Sequence, residues 1–139
     1  MWPDLPLEFY VVGTPVSHQS SNVTAKQEWK NTVLIAATSS IEGGSWSFQE
    51  KRLAITLFYF PQSPMAGDID NIIKLTLDAL MPNVYRDDEL IDRVVAQRFD
   101  PTNTYTFQTP SAVLFEAMAS GDPALYVRIA EVPLEDIGT

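Results

Sequence analysis

The sequence has no cysteine and only one histidine, His18. Without thiolates, the chain cannot form a disulfide framework, a cysteine nucleophile, a thiolate zinc site or an iron–sulfur cluster. One histidine also excludes a metal site built from two or more histidines of the same chain. Carboxylate oxygens are therefore the main ligands available for a metal site.

Basic residues and long apolar runs are also scarce. The 139 residues include 9 Lys+Arg against 18 Asp+Glu, a net charge of −9. Affinity for nucleic acid depends on cations that neutralise phosphates, so a nucleic-acid role must be local or metal-assisted. No apolar run approaches the roughly 18 residues of a membrane span, and the N-terminus lacks a signal-peptide pattern. We therefore expect no membrane association and a cytoplasmic location.

Hydrophobic residues make up 45% of the chain, enough for a core at this length. Runs rich in β-branched and aromatic residues predict strands at 7–12, 52–60, 90–99 and 124–132. Helical spacing predicts one helix from Thr24 to before Gly43, another at 68–80 and a third at 111–120. Thr24 fits a capping box with Gln27, and Thr109 fits an N-cap before Pro110. These elements predict a single α+β domain over residues 1–139, a mixed sheet with helices packed against it, in the order β-α-β-α-β-α-β.

The predicted helix at 68–80 separates polar from apolar side chains. At 100° per residue, one face carries Asp70, Asn71, Lys74 and Asp78, and the isoleucines and leucines lie opposite. Asp68 precedes this helix at the N-cap position. The pattern suits an exposed ion-pair ladder of Asp70, Lys74 and Asp78 as well as it suits a binding site.

A second acidic cluster follows at residues 86–92, and the stretch from Asp68 to Asp92 holds seven carboxylates and two basic residues. If the chain turns back after Pro82, the two clusters meet. Convergent carboxylates repel one another unless cations neutralise them, and Mg²⁺ favours oxygen ligands and retains waters. A site of Asp68, Asp70 and a carboxylate near Asp88, with Lys74 beside it, suits phosphoryl transfer.

These residues resemble a motif of the RusA-like endodeoxyribonucleases, the Holliday-junction resolvases of phages and bacteria. The resemblance covers Asp68-Ile69-Asp70-Asn71-Ile72-Ile73-Lys74, then Asp78-Ala79-Leu80, then Val84-Tyr85-Arg86-Asp87-Asp88 with Leu90-Ile91. It implies one nuclease domain that acts as a homodimer on four-way DNA junctions in recombination and repair, with Mg²⁺ or Mn²⁺. It also implies that Asp68, Asp70 and Asp88 are metal-binding catalytic carboxylates and that Lys74 is the catalytic lysine. Supporting roles are expected for Asn71, Asp78, Asp87 and Arg86, with Arg86 either a salt-bridge partner or a phosphate clamp.

The sequence departs from this family pattern after the first strand, where many members carry several basic residues that approach DNA. Residues 13–22 contain no Lys or Arg, and the predicted helix at 110–120 resembles an insertion. Three explanations stay open: a dimer builds a basic groove, the substrate differs, or DNA binding is weak and metal-dependent. Cations available for a groove are Lys26, Lys30, Lys51, Arg52, Arg86, Arg93 and Arg98. The alternative function is a RusA-like binding module whose acidic face contacts a basic protein.

Overall fold

The computed structural model describes residues 5–17, 19–41, 47–64 and 67–132, so His18 lies outside the described residues. Strands and α-helices alternate along these ranges: β1 Leu7–Val12, α1 Val23–Ser39, β2 Leu53–Phe60, α2 Lys74–Ala79, β3 Ile91–Arg98, α3 Ala112–Ala119 and β4 Ala124–Glu131. Two short 3-10 turns, Ile69–Ile72 and Asp88–Leu90, precede α2 and β3. The predicted α+β class and element order are confirmed. Within the described ranges, no helix combines the length and apolar character needed to cross a bilayer.

The four strands form one mixed sheet in the order β1-β4-β2-β3. β4 pairs antiparallel with both β1 and β2, and β3 pairs parallel with β2 along the sheet edge. A parallel pair needs a long crossover connection, and residues 61–90 supply it. This connection contains both 3-10 turns and α2.

The two faces of the sheet have different cores. Alternate residues of β2, from Leu53 to Tyr59, are buried on the face that packs with α1 and α2. The opposite face carries an aromatic cluster under α3, in which the ring centroids of Phe58 and Tyr126 lie 5.8 Å apart. The period of two along β2 therefore places Leu53, Ile55, Leu57 and Tyr59 on one side of the sheet and Phe58 and Phe60 on the other.

A buried polar contact joins α1 to α2. The Trp29 indole N–H donates to Thr76 Oγ1 at 3.1 Å, and the Thr76 hydroxyl donates to the Ile72 carbonyl at 2.8 Å. Thr76 is fully buried, so both of its hydrogen bonds are shielded from water. The contact fixes the position of α2 against the longest helix of the described chain.

Two helix starts differ from the sequence prediction. Asn22, not Thr24, caps α1, since its side chain accepts from the Ala25 N–H at 2.9 Å. Ser111, not Thr109, caps α3 and accepts from the Leu114 N–H at 3.1 Å. In each case the role is taken by a nearby residue, asparagine or serine, whose capping preference is stronger than that of the predicted threonine.

Candidate active site

Residues 68–80 do not form the single α-helix that their spacing predicts. A 3-10 turn covers Ile69–Ile72, and α2 begins only at Lys74. A 3-10 turn has three residues per turn, so the predicted angular positions do not apply to its side chains. Ile69, expected on the buried face, is therefore 38% exposed, whereas Ile72 is fully buried.

The changed geometry separates Asn71 from the acidic residues with which it was predicted to share a face. Asn71 contributes to a different pocket, together with residues at the ends of β1 and β2. Its amide also packs over Gly67, where an added Cβ would lie 2.7 Å from Asn71 Nδ2. Gly67 has φ of +93°, so both backbone conformation and space require glycine there.

The remaining polar residues of the segment border a surface pocket of about 190 Å³, here called the acidic pocket. Its lining residues are Asp70, Ile73, Lys74, Leu77, Asp78 and Asp88. Asp70 comes from the 3-10 turn, Lys74 and Asp78 come from α2, and Asp88 comes from the later acidic cluster. Three carboxylates and one ammonium group thus stand around a small apolar base formed by Ile73 and Leu77.

Asp88 reaches the acidic pocket because the chain turns back after Pro82, as the sequence predicts. The Val84 N–H donates to the Leu80 carbonyl at 2.8 Å, and the Tyr85 hydroxyl donates to the Leu77 carbonyl at 2.7 Å. Val84 and Tyr85 are fully buried. These contacts anchor the returning segment against α2, and Asp88 follows three residues after Tyr85.

Lys74 is held inside this acidic environment. Its Nζ donates to Asp78 Oδ1 at 3.0 Å. This hydrogen bond, with the charges of Asp78 and Asp88, raises the pKa of Lys74 above its ordinary value. Lys74 therefore carries its positive charge throughout the physiological pH range.

The carboxylates of the returning segment influence one another. A side-chain hydrogen bond with Asp87 is the main reason that the pKa of Asp88 is raised, and the charge of Asp78 adds to the effect. The same hydrogen bond lowers the pKa of Asp87. Burial, followed by the charges of Asp78 and Asp88, raises the pKa of Tyr85. Negative potential thus concentrates at the pocket, which is the condition that a bound cation relieves.

The other acids of this segment have arginine partners. Arg86 donates to Glu89 Oε1 at 2.7 Å and, through Nε, to the Gln49 carbonyl at 3.0 Å. Arg52 Nε donates to Asp92 Oδ2 at 3.1 Å. Of the two roles considered for Arg86, the structure shows the salt bridge.

Asp68 lies just before the 3-10 turn with extended backbone and makes no side-chain capping hydrogen bond. It does not line the acidic pocket. Within the described ranges, no three acidic or histidine side chains gather as a group able to hold a metal ion. Mg²⁺ commonly takes one or two carboxylates and keeps several waters, so the oxygen donors of Asp70 and Asp88 fit such an ion without a third protein ligand.

One hydrogen bond near this site could not be predicted from the sequence. Arg98, at the end of β3, donates from Nη1 to the Gly67 carbonyl at 2.5 Å. The two residues are 31 positions apart and meet because β3 runs parallel to β2. Arg98 thereby fixes the start of the segment that carries Asp68 and Asp70.

The fold and the pocket define a class: a small α+β protein with carboxylates and a lysine clustered in the crossover between two parallel strands. The family model described as Endodeoxyribonuclease RusA matches residues 17–129, which include the whole acidic pocket. The chain belongs to the RusA endodeoxyribonuclease family, as the motif resemblance predicts. Among curated proteins, none matches the chain.

Proposed function

We propose that this protein is a divalent-metal-dependent endodeoxyribonuclease that resolves four-way DNA junctions by phosphodiester hydrolysis, in recombination and repair. Family membership supports the nuclease activity. The observation that carries the proposal is the acidic pocket, where Asp88 joins Asp70, Lys74 and Asp78 from a separate part of the chain. Buried contacts of the returning segment bring Asp88 to the wall of this pocket.

In this proposal Asp70 and Asp88 would hold the divalent ion, Mg²⁺ or Mn²⁺. Asp68, two residues before Asp70, would be a further ligand. When bound, the ion supplies Lewis-acid chemistry, polarising a phosphoryl oxygen and acidifying water. The donor set is all oxygen, which suits these hard ions. Because Asp87 and Asp78 already crowd Asp88, neutralisation by a cation would also stabilise the native pocket.

Lys74 would stabilise the negative charge that develops on the phosphoryl oxygens during cleavage. Its Nζ is fixed by Asp78, and its side chain remains 52% exposed, so it can reach a substrate at the pocket mouth. Asp78 acts as a positioning residue, since it touches Lys74 directly. Asp87 caps the 3-10 turn that contains Asp88 by accepting from the Glu89 N–H.

We also propose a homodimer, whose two sites would cut two strands of a junction symmetrically. The distribution of charge supports a DNA-binding surface that is built from cations of both chains. Three of the cations considered for a basic groove, Lys51, Arg52 and Arg86, already pair with acids of their own chain. Surface cations from two chains would supply the phosphate contacts that one chain with net charge −9 cannot readily assemble.

A cleavage assay on synthetic four-way junctions, with linear duplex as the comparison, tests the function. We expect junction cleavage with Mg²⁺ or Mn²⁺, no cleavage after chelation, and unchanged circular dichroism in both conditions. The Asp70→Asn variant should fold normally and lose cleavage. If no DNA is cut while the protein binds a basic partner in a salt-sensitive manner, the binding-module alternative replaces the nuclease.

A further inference from the structure

A second pocket borders the 3-10 turn through Asn71 and has a volume of about 300 Å³. It is here called the neutral pocket, because no charged side chain is among the described residues that line it. These residues are Thr14, Pro15, Ser17, Tyr59, Pro61, Gln62, Ser63, Pro64, Asn71 and Pro123. They come from the segments after β1 and β2, from Tyr59 within β2, from the 3-10 turn, and from the residue before β4.

The neutral pocket combines two kinds of surface. The hydroxyls of Thr14, Ser17 and Ser63 and the amides of Gln62 and Asn71 can each donate and accept hydrogen bonds. Four proline rings supply rigid apolar wall. Because the described lining residues carry no cation, the neutral pocket offers a phosphate no charged partner. A flat, uncharged group with donors and acceptors on its edge fits better, and a nucleobase is such a group.

The 3-10 turn connects the two pockets. Asp70 and Asn71 are consecutive residues, yet the first lines the acidic pocket and the second lines the neutral pocket. The turn is held by the bond from Arg98 to Gly67 and by the packing of Asn71 over Gly67. A nucleotide with its phosphate at Asp70 would therefore place its base within reach of Asn71.

We propose that the neutral pocket receives one nucleobase, unstacked from the DNA, of a nucleotide next to the bond that is cut. This inference rests on the proposed function and adds a base-recognition site to it. Unstacking costs least where the DNA is already distorted, as at a branch point. Hydrogen bonds from Asn71, Gln62 and the hydroxyls would then give the enzyme a preference for the base at that position.

Fluorescence of 2-aminopurine tests base unstacking directly. The analogue is placed in turn at each position around the cut, and fluorescence is recorded by stopped flow before product forms. We expect one position to brighten on binding to the wild-type protein. The Ser63→Phe variant, which fills the neutral pocket at an exposed residue, should abolish that signal and lower kcat/KM by about tenfold.

The matched control is Ser21→Phe, at an exposed serine that does not line the neutral pocket. It should keep both the signal and the cleavage rate. Removing the base at the bright position should slow the wild type about tenfold and slow Ser63→Phe no further, because both changes remove the same contact. The inference is overturned if Ser63→Phe keeps the same fluorescence signal and cleavage rate as Ser21→Phe. It is also overturned if the fluorescence rises at none of the positions. A wild type that brightens the probe but cuts no junction overturns the proposed function instead.

Discussion

Five of the seven acidic residues from Asp68 to Asp92 fall into two groups with different surroundings. Glu89 and Asp92 each pair with an arginine. Asp70, Asp78 and Asp88 share the acidic pocket, where the nearest cation is the single ammonium group of Lys74. Residues of one type, a few positions apart, thus either neutralise a neighbouring cation or accumulate negative charge.

The difference shows how a sequence rich in acids can contain both structural and functional carboxylates. An acid paired with arginine contributes modestly to stability at an exposed surface and needs no ligand. Acids that face one another destabilise the fold until a cation binds, and such arrangements are typical of functional sites. Mutations of the acids at the acidic pocket should therefore lower activity without lowering stability. Mutations of the arginine-paired acids should lower stability slightly and leave activity unchanged.

The largest expected effect comes from comparing Asp88→Asn with Asp92→Asn, two exposed acids four residues apart. Asp88→Asn should lower junction cleavage by about a thousandfold, because it removes a ligand of the proposed metal site. Its melting temperature should equal or exceed that of the wild type, since repulsion with Asp87 and Asp78 is relieved. Asp92→Asn should keep cleavage and melt slightly earlier. Equal cleavage rates for the two variants would contradict the division of the acids into a functional and a structural group.

Lys74→Gln should lower cleavage by roughly a hundredfold, because the developing negative charge loses its partner. Lys51→Gln is the control, since Lys51 also forms an exposed ion pair, with Glu131 at 3.5 Å, but lies outside the acidic pocket. Single-turnover rates at saturating metal measure the effect. If both lysine variants lose activity equally, overall charge rather than position governs the rate.

Metal binding should raise the melting temperature. At a metal concentration of about 100 times Kd the native state gains about 2.7 kcal/mol, or roughly 5–10 °C in a chain of this size. Differential scanning calorimetry with Mg²⁺ measures the shift, and Asp70→Asn should reduce it. Sodium chloride at the same ionic strength controls for screening. A shift that sodium reproduces in full would exclude a specific site.

The smallest effect concerns the arginine-paired group. The hydrogen bond from Arg52, followed by its charge, lowers the pKa of Asp92 below the ordinary value. The pair therefore stabilises the fold above the ordinary carboxyl pKa of about 4, and this contribution is lost as pH falls through the lowered value. The small difference in melting temperature between wild type and Asp92→Asn should be constant near pH 7 and vanish in strong acid. A difference that grows on acidification would contradict this assignment.

The strand pattern of this protein could be predicted from sequence because each strand is a run of β-branched and aromatic residues between turns. Strand β1 has its predicted limits, and the other three differ at their ends by a residue or so. The sequence also places Asp88 near the acids of α2 on the condition that the chain turns back after Pro82, and the structure meets that condition. These features depend on local signals and on burial.

The fine geometry of the site could not be predicted in this way. Nothing local distinguishes a 3-10 turn at Ile69–Ile72 from the first turn of an α-helix, yet the choice decides which pocket Asn71 enters. The bond from Arg98 to Gly67 depends on parallel pairing of β2 with β3, which spacing does not reveal. That Asp68 joins Asp70 at a metal ion stays a prediction.

The position of β4 has a consequence for the making of the protein. Of the four strands in the described residues it comes last in sequence, yet it lies between β1 and β2 inside the sheet. During translation, β1 cannot join the pair formed by β2 and β3 until β4, the strand that lies between β1 and β2, has left the ribosome. A nascent chain from which β4 has not yet emerged would therefore lack the central strand that completes the sheet.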